Sequence, residues 1–144
     1  MKRNAIAATL VFCALATLAP MAAEAATVVA RVNIAQQQMT VTYNGLPMHT
    51  WPVSTARRGK VTPVGSWKAK WLSKNHKSSI YDNAPMPFSI FYNGNYAVHG
   101  TTSISKLGQP ASAGCVRLHP DNAAILFEMA RREGLDNVMI VVEP

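Results

Sequence analysis

Phe88-Ser-Ile-Phe-Tyr-Asn93-Gly94-Asn-Tyr-Ala-Val-His99-Gly100 reads as a β-hairpin. Two runs rich in aromatic and β-branched residues flank Asn93-Gly94, and both turn positions tolerate the positive φ that a tight hairpin demands. The second arm ends on a histidine followed by glycine, which places an imidazole at the rim of a sheet. Upstream, Thr27 to Asn33 and Met39 to Tyr43 are strand-like. Asn44-Gly45 marks a second hairpin, with Pro47 to Ser54 as its return strand. Pro47 suits the start of that strand, where its missing N–H does no harm. Gly65 to Leu72 alternates around Trp67, Ala69 and Trp71 and reads as one further strand. Residues 74–87 are polar and aperiodic and end in Pro85-Met-Pro87. This segment reads as a long loop, of the kind used as a lid or binding loop.

Downstream, Thr101 to Gly114 is rich in Ser, Thr, Gly and Pro and reads as loop. Pro120 to Glu133 predicts a helix. Pro120 fits the first helical position, Asp121 the first turn, Arg131 and Arg132 the last, and Gly134 the stop. Ala123, Leu126, Phe127 and Ala130 form its apolar stripe. Val138 to Val142 is continuously apolar, the pattern of a central strand. No internal repeat or linker interrupts the chain, and 144 residues give room for one domain. The fold class is mainly β, with one packed helix after the only cysteine of this region.

The amino-terminal segment stands apart. Lys2 and Arg3 precede an apolar, alanine-rich run to about Ala23, and Ala23-Glu24-Ala25 is a small-x-small site. That order is a secretory signal peptide over residues 1–25, leaving a domain over residues 26–144. An uncleaved membrane anchor is the alternative, since the run nearly reaches spanning length. After cleavage no membrane span is expected. A lipoprotein site is disfavoured because Phe12 precedes Cys13. Removing Lys2, Arg3 and Glu24 takes the formal charge from +7 to +6, with 12 basic residues against 6 acidic. Such a chain suits acidic surfaces. Nucleic acid fits least, because an exported chain does not meet it and no basic stripe with interleaved aromatics occurs.

Cleavage also removes Cys13 and leaves Cys115 alone. Exported domains use cysteines in pairs. A lone thiol is therefore inert and buried, bridged to another chain, or reactive. Cys115 sits in Ser112-Ala-Gly-Cys-Val-Arg117. Gly114 permits a tight backbone there. On a strand Arg117 shares a face with the thiol, where a guanidinium favours the thiolate. His99 supplies a general base of suitable pKa. No acidic residue is near it in sequence, so a backbone carbonyl at Gly100 or Thr101 is the expected orienting acceptor. His49 and His76 read as surface or hydrogen-bonded residues, and His119 as a cap or neighbour of the helix start. A metal site on Cys115, His119 and His99 lacks a fourth ligand with recognisable spacing, and neither CxxC nor HExxH occurs. No metal and no cofactor is expected.

His99-Gly-Thr101, a Ser/Gly/Pro loop and Ser112-Ala-Gly-Cys-Val-Arg117 together resemble the signature of the L,D-transpeptidases of the bacterial cell wall. Val53-Ser-Thr55 with Thr62-Pro-Val-Gly65, Pro85-Met-Pro-Phe88 and Leu118-His-Pro-Asp-Asn-Ala123 extend the likeness over nearly all of residues 27–143. One position departs. The family has histidine immediately before Gly-Cys, where this chain has Ala113. The family's general base is the upstream histidine, matched by His99, so activity is expected to survive. Any role of a second imidazole in binding the acceptor or shaping the oxyanion site is put in doubt.

The resemblance implies a β-sandwich with the helix packed against it. It implies that Cys115 attacks the third residue of a peptidoglycan stem tetrapeptide while His99, oriented by the Gly100 carbonyl, takes the thiol proton. Terminal D-alanine leaves and a thioester remains. N–H groups of Gly114 and Cys115, with Ala113 as a further candidate, would hold the oxyanion. Ser112 would order the loop. Arg117 would either orient the loop or bind a substrate carboxylate. An amine then accepts the acyl group, from another stem, a wall-anchored protein or a D-amino acid. Carbapenem-type inhibitors would acylate the same thiol, and the site of action would be the periplasm or cell wall. Two alternatives stay open: an L,D-carboxypeptidase that passes the acyl group to water, and a wall-binding module with an inert thiol.

Overall fold

The computed structural model describes residues 25–144. The expected signal segment, with its anchor alternative, falls on residues 1–25 and so lies outside the described residues but for Ala25. Among the described residues no helix is long and apolar enough to cross a membrane. The strands are β1 (Val28–Asn33), β2 (Gln38–Tyr43), β3 (Leu46–Pro52), β4 (Gly65–Lys68), β5 (Trp71–Lys77), β6 (Pro85–Asn93), β7 (Tyr96–Gly100) and β8 (Val116–Leu118). The helix α1 (Pro120–Glu133) and the strand β9 (Val138–Glu143) follow. One sheet has the order β3-β2-β1-β9-β4 and the other β5-β6-β7-β8.

Period-two burial builds the first sheet. Val28, Ala30 and Val32 of β1 are buried and pair in parallel register with Val138, Ile140 and Val142 of β9. The apolar strand is central, as its composition predicts, with β4 antiparallel on its other side. Asn44 and Gly45 take positive φ and close the β2–β3 hairpin. The inner face of this sheet shares one core with Ile90, Tyr92, Val98, Val116 and Leu118 of the second sheet. The four predicted stripe residues of α1 complete that core. His119 caps the helix, its Nδ1 accepting the Asp121 N–H at 3.2 Å.

Two sequence expectations are corrected. The single strand read over Gly65 to Leu72 is two strands in different sheets. The chain crosses at Ala69-Lys70, where Ala69 N–H donates to Val138 O and Lys70 N–H donates to Phe91 O. Alternation continues through the crossing, so side-chain pattern could not reveal it. Residues 74–87 are not a long loop. Asn75, His76 and Lys77 pair with Pro87, Met86 and Pro85, and only Ser78 to Ala84 form the turn. Polar residues suffice on β5 because it is an edge strand, and backbone pairing does not require apolar side chains.

Phe88 sets which way β6 faces. It takes φ +55, a conformation rare for a bulky residue. The buried Ser89 hydroxyl donates to the Met86 carbonyl at 2.7 Å beside it. Strict alternation would put Met86 and Phe91 on opposite faces. The irregularity instead groups them with Ala97 in a small second cluster, while Ile90 and Tyr92 face the main core. Phe88 packs edge-on against Phe127 of α1, ring centroids 5.7 Å apart.

Residues 53–62 brace the segment that carries Cys115. Ser54 and Arg117 exchange backbone hydrogen bonds, Ala111 and Ser112 N–H donate to Thr55 O, and Arg57 N–H donates to Ser112 O. Buried Thr62 closes the brace. Its hydroxyl accepts the Ala56 N–H at 2.9 Å and donates to the Gly114 carbonyl at 2.8 Å.

Burial along α1 differs sharply between neighbours: Leu126 is fully buried and Ile125 is 42 % exposed. Leu126→Ala is expected to lower unfolding free energy by about 2–5 kcal/mol, and Ile125→Ala by less than about 0.5 kcal/mol. Equal losses in urea titrations would refute this packing. Thr62→Val leaves a buried carbonyl and N–H without partners and should cost about 1–3 kcal/mol. Thr62→Ser should recover most of that stability; a valine variant as stable as wild type would show that the brace contributes nothing.

Candidate active site

The site is made by the parallel pairing of β7 with β8. Val98 stands opposite Val116, His99 opposite Arg117 and Gly100 opposite Leu118. Cys115 immediately precedes this ladder. Its sulfur accepts the Ala97 N–H at 3.4 Å and its thiol lies 3.6 Å from the Asn95 carbonyl. Cross-strand partners project to the same face, and so do residues two apart on a strand. Ala97, His99, Cys115 and Arg117 therefore share one face, with the imidazole one diagonal step from the thiol. All but Ala97 line a cleft of about 590 Å³.

His99 is 5 % exposed, and its Nδ1 lies 2.7 Å from the Gly100 carbonyl. A carbonyl oxygen only accepts, so Nδ1 carries the proton and Nε2 keeps a free lone pair. Burial pulls the imidazole pKa down to about 4, against the opposing effect of that carbonyl contact; the charges of Arg117 and His76 lower it further. The ring is neutral at physiological pH. Gly100 is tightly surrounded: a Cβ there would lie 3.0 Å from Pro87 Cγ and 3.1 Å from Pro120 Cα, so its neighbours would have to give way by a few tenths of an ångström.

Cys115 is a free, half-buried cysteine packed against Met86, Phe91 and Ala97. The sequence leads one to expect a thiol pKa lowered by Arg117. Burial raises it instead, and the Ala97 N–H and the Arg117 guanidinium only partly oppose that effect. The resting site therefore holds a neutral thiol and a neutral imidazole.

Gly114 takes φ +141, and a Cβ there would lie 2.7 Å from the Tyr96 ring and 2.9 Å from Val61 O. Only glycine fits. Its carbonyl points to Thr62, so the Cys115 N–H on the same planar peptide points the opposite way. The Gly114 N–H donates to buried Ser112 Oγ at 3.0 Å, so Ser112 orders the loop through hydrogen bonds; the Gly114 N–H is thereby engaged within the loop, against the expectation that it would serve as an oxyanion donor. The N–H groups of Ala113 and Cys115 have no partner among the described residues. Arg117 is half-buried, and its guanidinium touches the Ala111 carbonyl only at 3.5 Å.

Several cleft residues escape sequence reasoning. His76, read as a surface histidine, lines the cleft and stands edge-on to Phe91 and Trp71. Trp71 and Phe91 stack in parallel at 3.8 Å. Arg57 also lines the cleft, brought there by its backbone bond to Ser112. Only the β5–β6 pairing and the brace bring them in, and neither leaves a mark on the residues concerned.

Comparisons with known proteins agree with this architecture. The model of the L,D-transpeptidase catalytic domain (YkuD) matches residues 27–140. The YkuD protein of Bacillus subtilis (strain 168) is 25 % identical over 92 residues, covering 61 % of this chain and 51 % of that protein. This chain thus spans about half the length of that relative. An L,D-transpeptidase structure from Stackebrandtia nassauensis superposes with a TM-score of 0.73 at 25 % identity, covering 85 % of this chain and 57 % of its own. L,D-transpeptidase 3 of Mycobacterium tuberculosis, solved with a faropenem-derived adduct, superposes with a TM-score of 0.72 at 19 % identity, covering 83 % and 61 %. With the family model matching most of its length, the chain belongs to the L,D-transpeptidase catalytic domain family.

Proposed function

We propose that this chain is an exported cysteine acyltransferase that acts on peptidoglycan stem peptides in the periplasm or cell wall. The observation that carries the reading is the shared face of the β7–β8 pair, with Cys115 at one end and a neutral, Gly100-anchored His99 one step away. Nε2 of His99 takes the thiol proton as sulfur attacks the carbonyl of the third stem residue. The Cys115 and Ala113 N–H groups face the developing oxyanion; one such donor is worth about 3 kcal/mol in other enzymes. Collapse breaks the bond to terminal D-alanine, whose amine takes the proton from the imidazolium. A thioester on Cys115 remains. An acceptor amine attacks it, His99 receives the amine proton and returns it to sulfur, and a new amide leaves.

Burial of both groups shapes this chemistry. A thiolate–imidazolium pair is not the resting state, so proton transfer accompanies attack. The loop that holds the oxyanion donors is built without the family's second imidazole, since Ala113 stands there. Its geometry rests on Gly114, Ser112 and Thr62, and activity is retained in this reading.

Intact-protein mass after incubation with a carbapenem tests the nucleophile. Wild type should gain one acyl adduct and Cys115→Ala none, while Cys115→Ala keeps its fold and loses turnover of tetrapeptide stems. Absence of an adduct, or turnover above a tenth of wild type in the alanine variant, would refute the assignment. Muropeptide analysis separates the two acyl fates: cross-linked dimers support an amine acceptor, and tripeptides without dimers support water.

His99 gives a pH signature. Its pKa falls from an ordinary 6.5 to about 4 on folding, so below pH 6.5 the unfolded chain binds a proton that the folded chain refuses. Stability is complete above pH 6.5 and declines towards pH 4, by roughly 3 kcal/mol from this group. His99→Gln should flatten that part of the curve. The same residue should place the acid limb of carbapenem acylation near pH 4 to 5, and His99→Ala should slow acylation strongly. A limb at 6.5 in the intact enzyme would mean that another base acts.

A further inference from the structure

The cleft holds more positive charge than its nucleophile and base account for. Arg57 and Arg117 both line it, and among the described residues no aspartate or glutamate does. Of the ten other described lysines and arginines, Arg31, Lys68, Arg131 and Arg132 meet acids and the remaining six are exposed to water. Neither cleft arginine has such a partner among the described residues. Arg117 is half-buried with one long contact to Ala111, and a desolvated cation without a counter-charge is unfavourable. The Arg57 charge adds to that strain, lowering the Arg117 pKa in the direction burial already drives it. The fold nonetheless holds the two together. Arg57 is tied to Ser112 by its own N–H at 2.9 Å, and Arg117 is tied to Ser54 by backbone bonds on the far side of the same loop. Two arginines thus line the cleft beside the segment that presents Cys115.

We propose that Arg57 and Arg117 form a carboxylate site that receives the free C-terminal carboxylate of the residue expelled by Cys115. This deepens the acyltransferase reading and rests on it for the position of the bond attacked. Arg117 lies one two-residue strand step from Cys115, about 6.6 Å. The carboxyl carbon of the leaving residue lies within one residue length of the attacked carbonyl, about 3.6 Å. Guanidinium forks bridge the remaining gap and bind carboxylates in two-point fashion. The site would restrict attack to the last peptide bond of a chain, because an internal bond offers no carboxylate at that distance.

A stem peptide carries other carboxylates, on the side chains of its acidic residues, and they share the same chemistry. Calorimetric binding to Cys115→Ala protein distinguishes them without requiring turnover. Three tetrapeptides serve: one with all carboxylates free, one with only the terminal carboxylate amidated, and one with only the side-chain carboxylates amidated. The terminal amide should bind at least about tenfold more weakly than the free acid, a loss typical of an ionic hydrogen-bonded contact. Side-chain amidation should change affinity less than threefold. Adding Arg57→Gln should reduce the acid-to-amide ratio severalfold, and Arg57→Lys should keep part of it. Arg57 is exposed, so its variants should melt with Cys115→Ala. Equal binding of acid and amide overturns the proposal, as does a ratio unmoved by Arg57→Gln. A loss that follows side-chain amidation instead overturns the assignment to the terminal carboxylate. Discriminating binding in a protein whose wild type forms no acyl adduct would refute the enzyme reading alone and leave the carboxylate site standing.

Discussion

The parallel pairing of β7 with β8 is the constraint on which the site depends. Parallel neighbours cannot be joined by a tight turn, so the chain must leave the sheet at Gly100 and return at Val116 by a long connection. That excursion brings an imidazole and a thiol from separate stretches of sequence onto one face. It also delivers the returning strand with its outer edge unpaired, and residues 53–57 take up those backbone groups. The Cys115 segment is therefore held from both sides, by a strand on one and by a brace on the other.

The brace and the glycines do separate jobs. Gly114 permits a backbone conformation and a close approach that no side chain tolerates, and Thr62 then fixes the orientation of the peptide that follows. Gly100 is ordinary in conformation, packs closely against Pro87 and Pro120, and offers its carbonyl as the acceptor for His99. Rigid second partners matter because a base or donor misplaced by an ångström loses much of its effect. Phe88 contributes at longer range: its irregular backbone lets β6 give Met86 and Phe91 to the cleft while keeping Ile90 and Tyr92 in the core.

Electrostatics inside the cleft follow from burial more than from neighbouring charge. Burial lowers the imidazole pKa and raises that of the thiol, so both groups are driven towards their neutral forms. Arg117 pulls the thiol the other way but is itself half-buried and opposed by Arg57. A site of this kind carries unsatisfied positive charge and a protonated thiol at rest.

Much of this protein was legible in its residues. The hairpin turn at Asn44-Gly45, the helix from Pro120 to Glu133 with its stripe, and the central strand at Val138 all follow from local rules of turn chemistry, capping and periodicity; the second hairpin was legible too, but it turns on Gly94-Asn95, with Asn93 paired to Tyr96, and not on Asn93-Gly94. Cys115 and His99 stood out as candidates because few residue types are capable of acyl-transfer chemistry and because their flanking residues form a recognisable pair of motifs. The crossing at Ala69-Lys70, the pairing of His76 with Met86, the reversed facing of Met86, the charge balance around the thiol, and the arrival of Arg57 and Thr62 beside Cys115 were decided only by tertiary structure. Local pattern records which side of an element is apolar. It carries no record of which sheet that element joins, what distant backbone it binds, or how much water its neighbours exclude, because those depend on contacts between residues far apart along the chain.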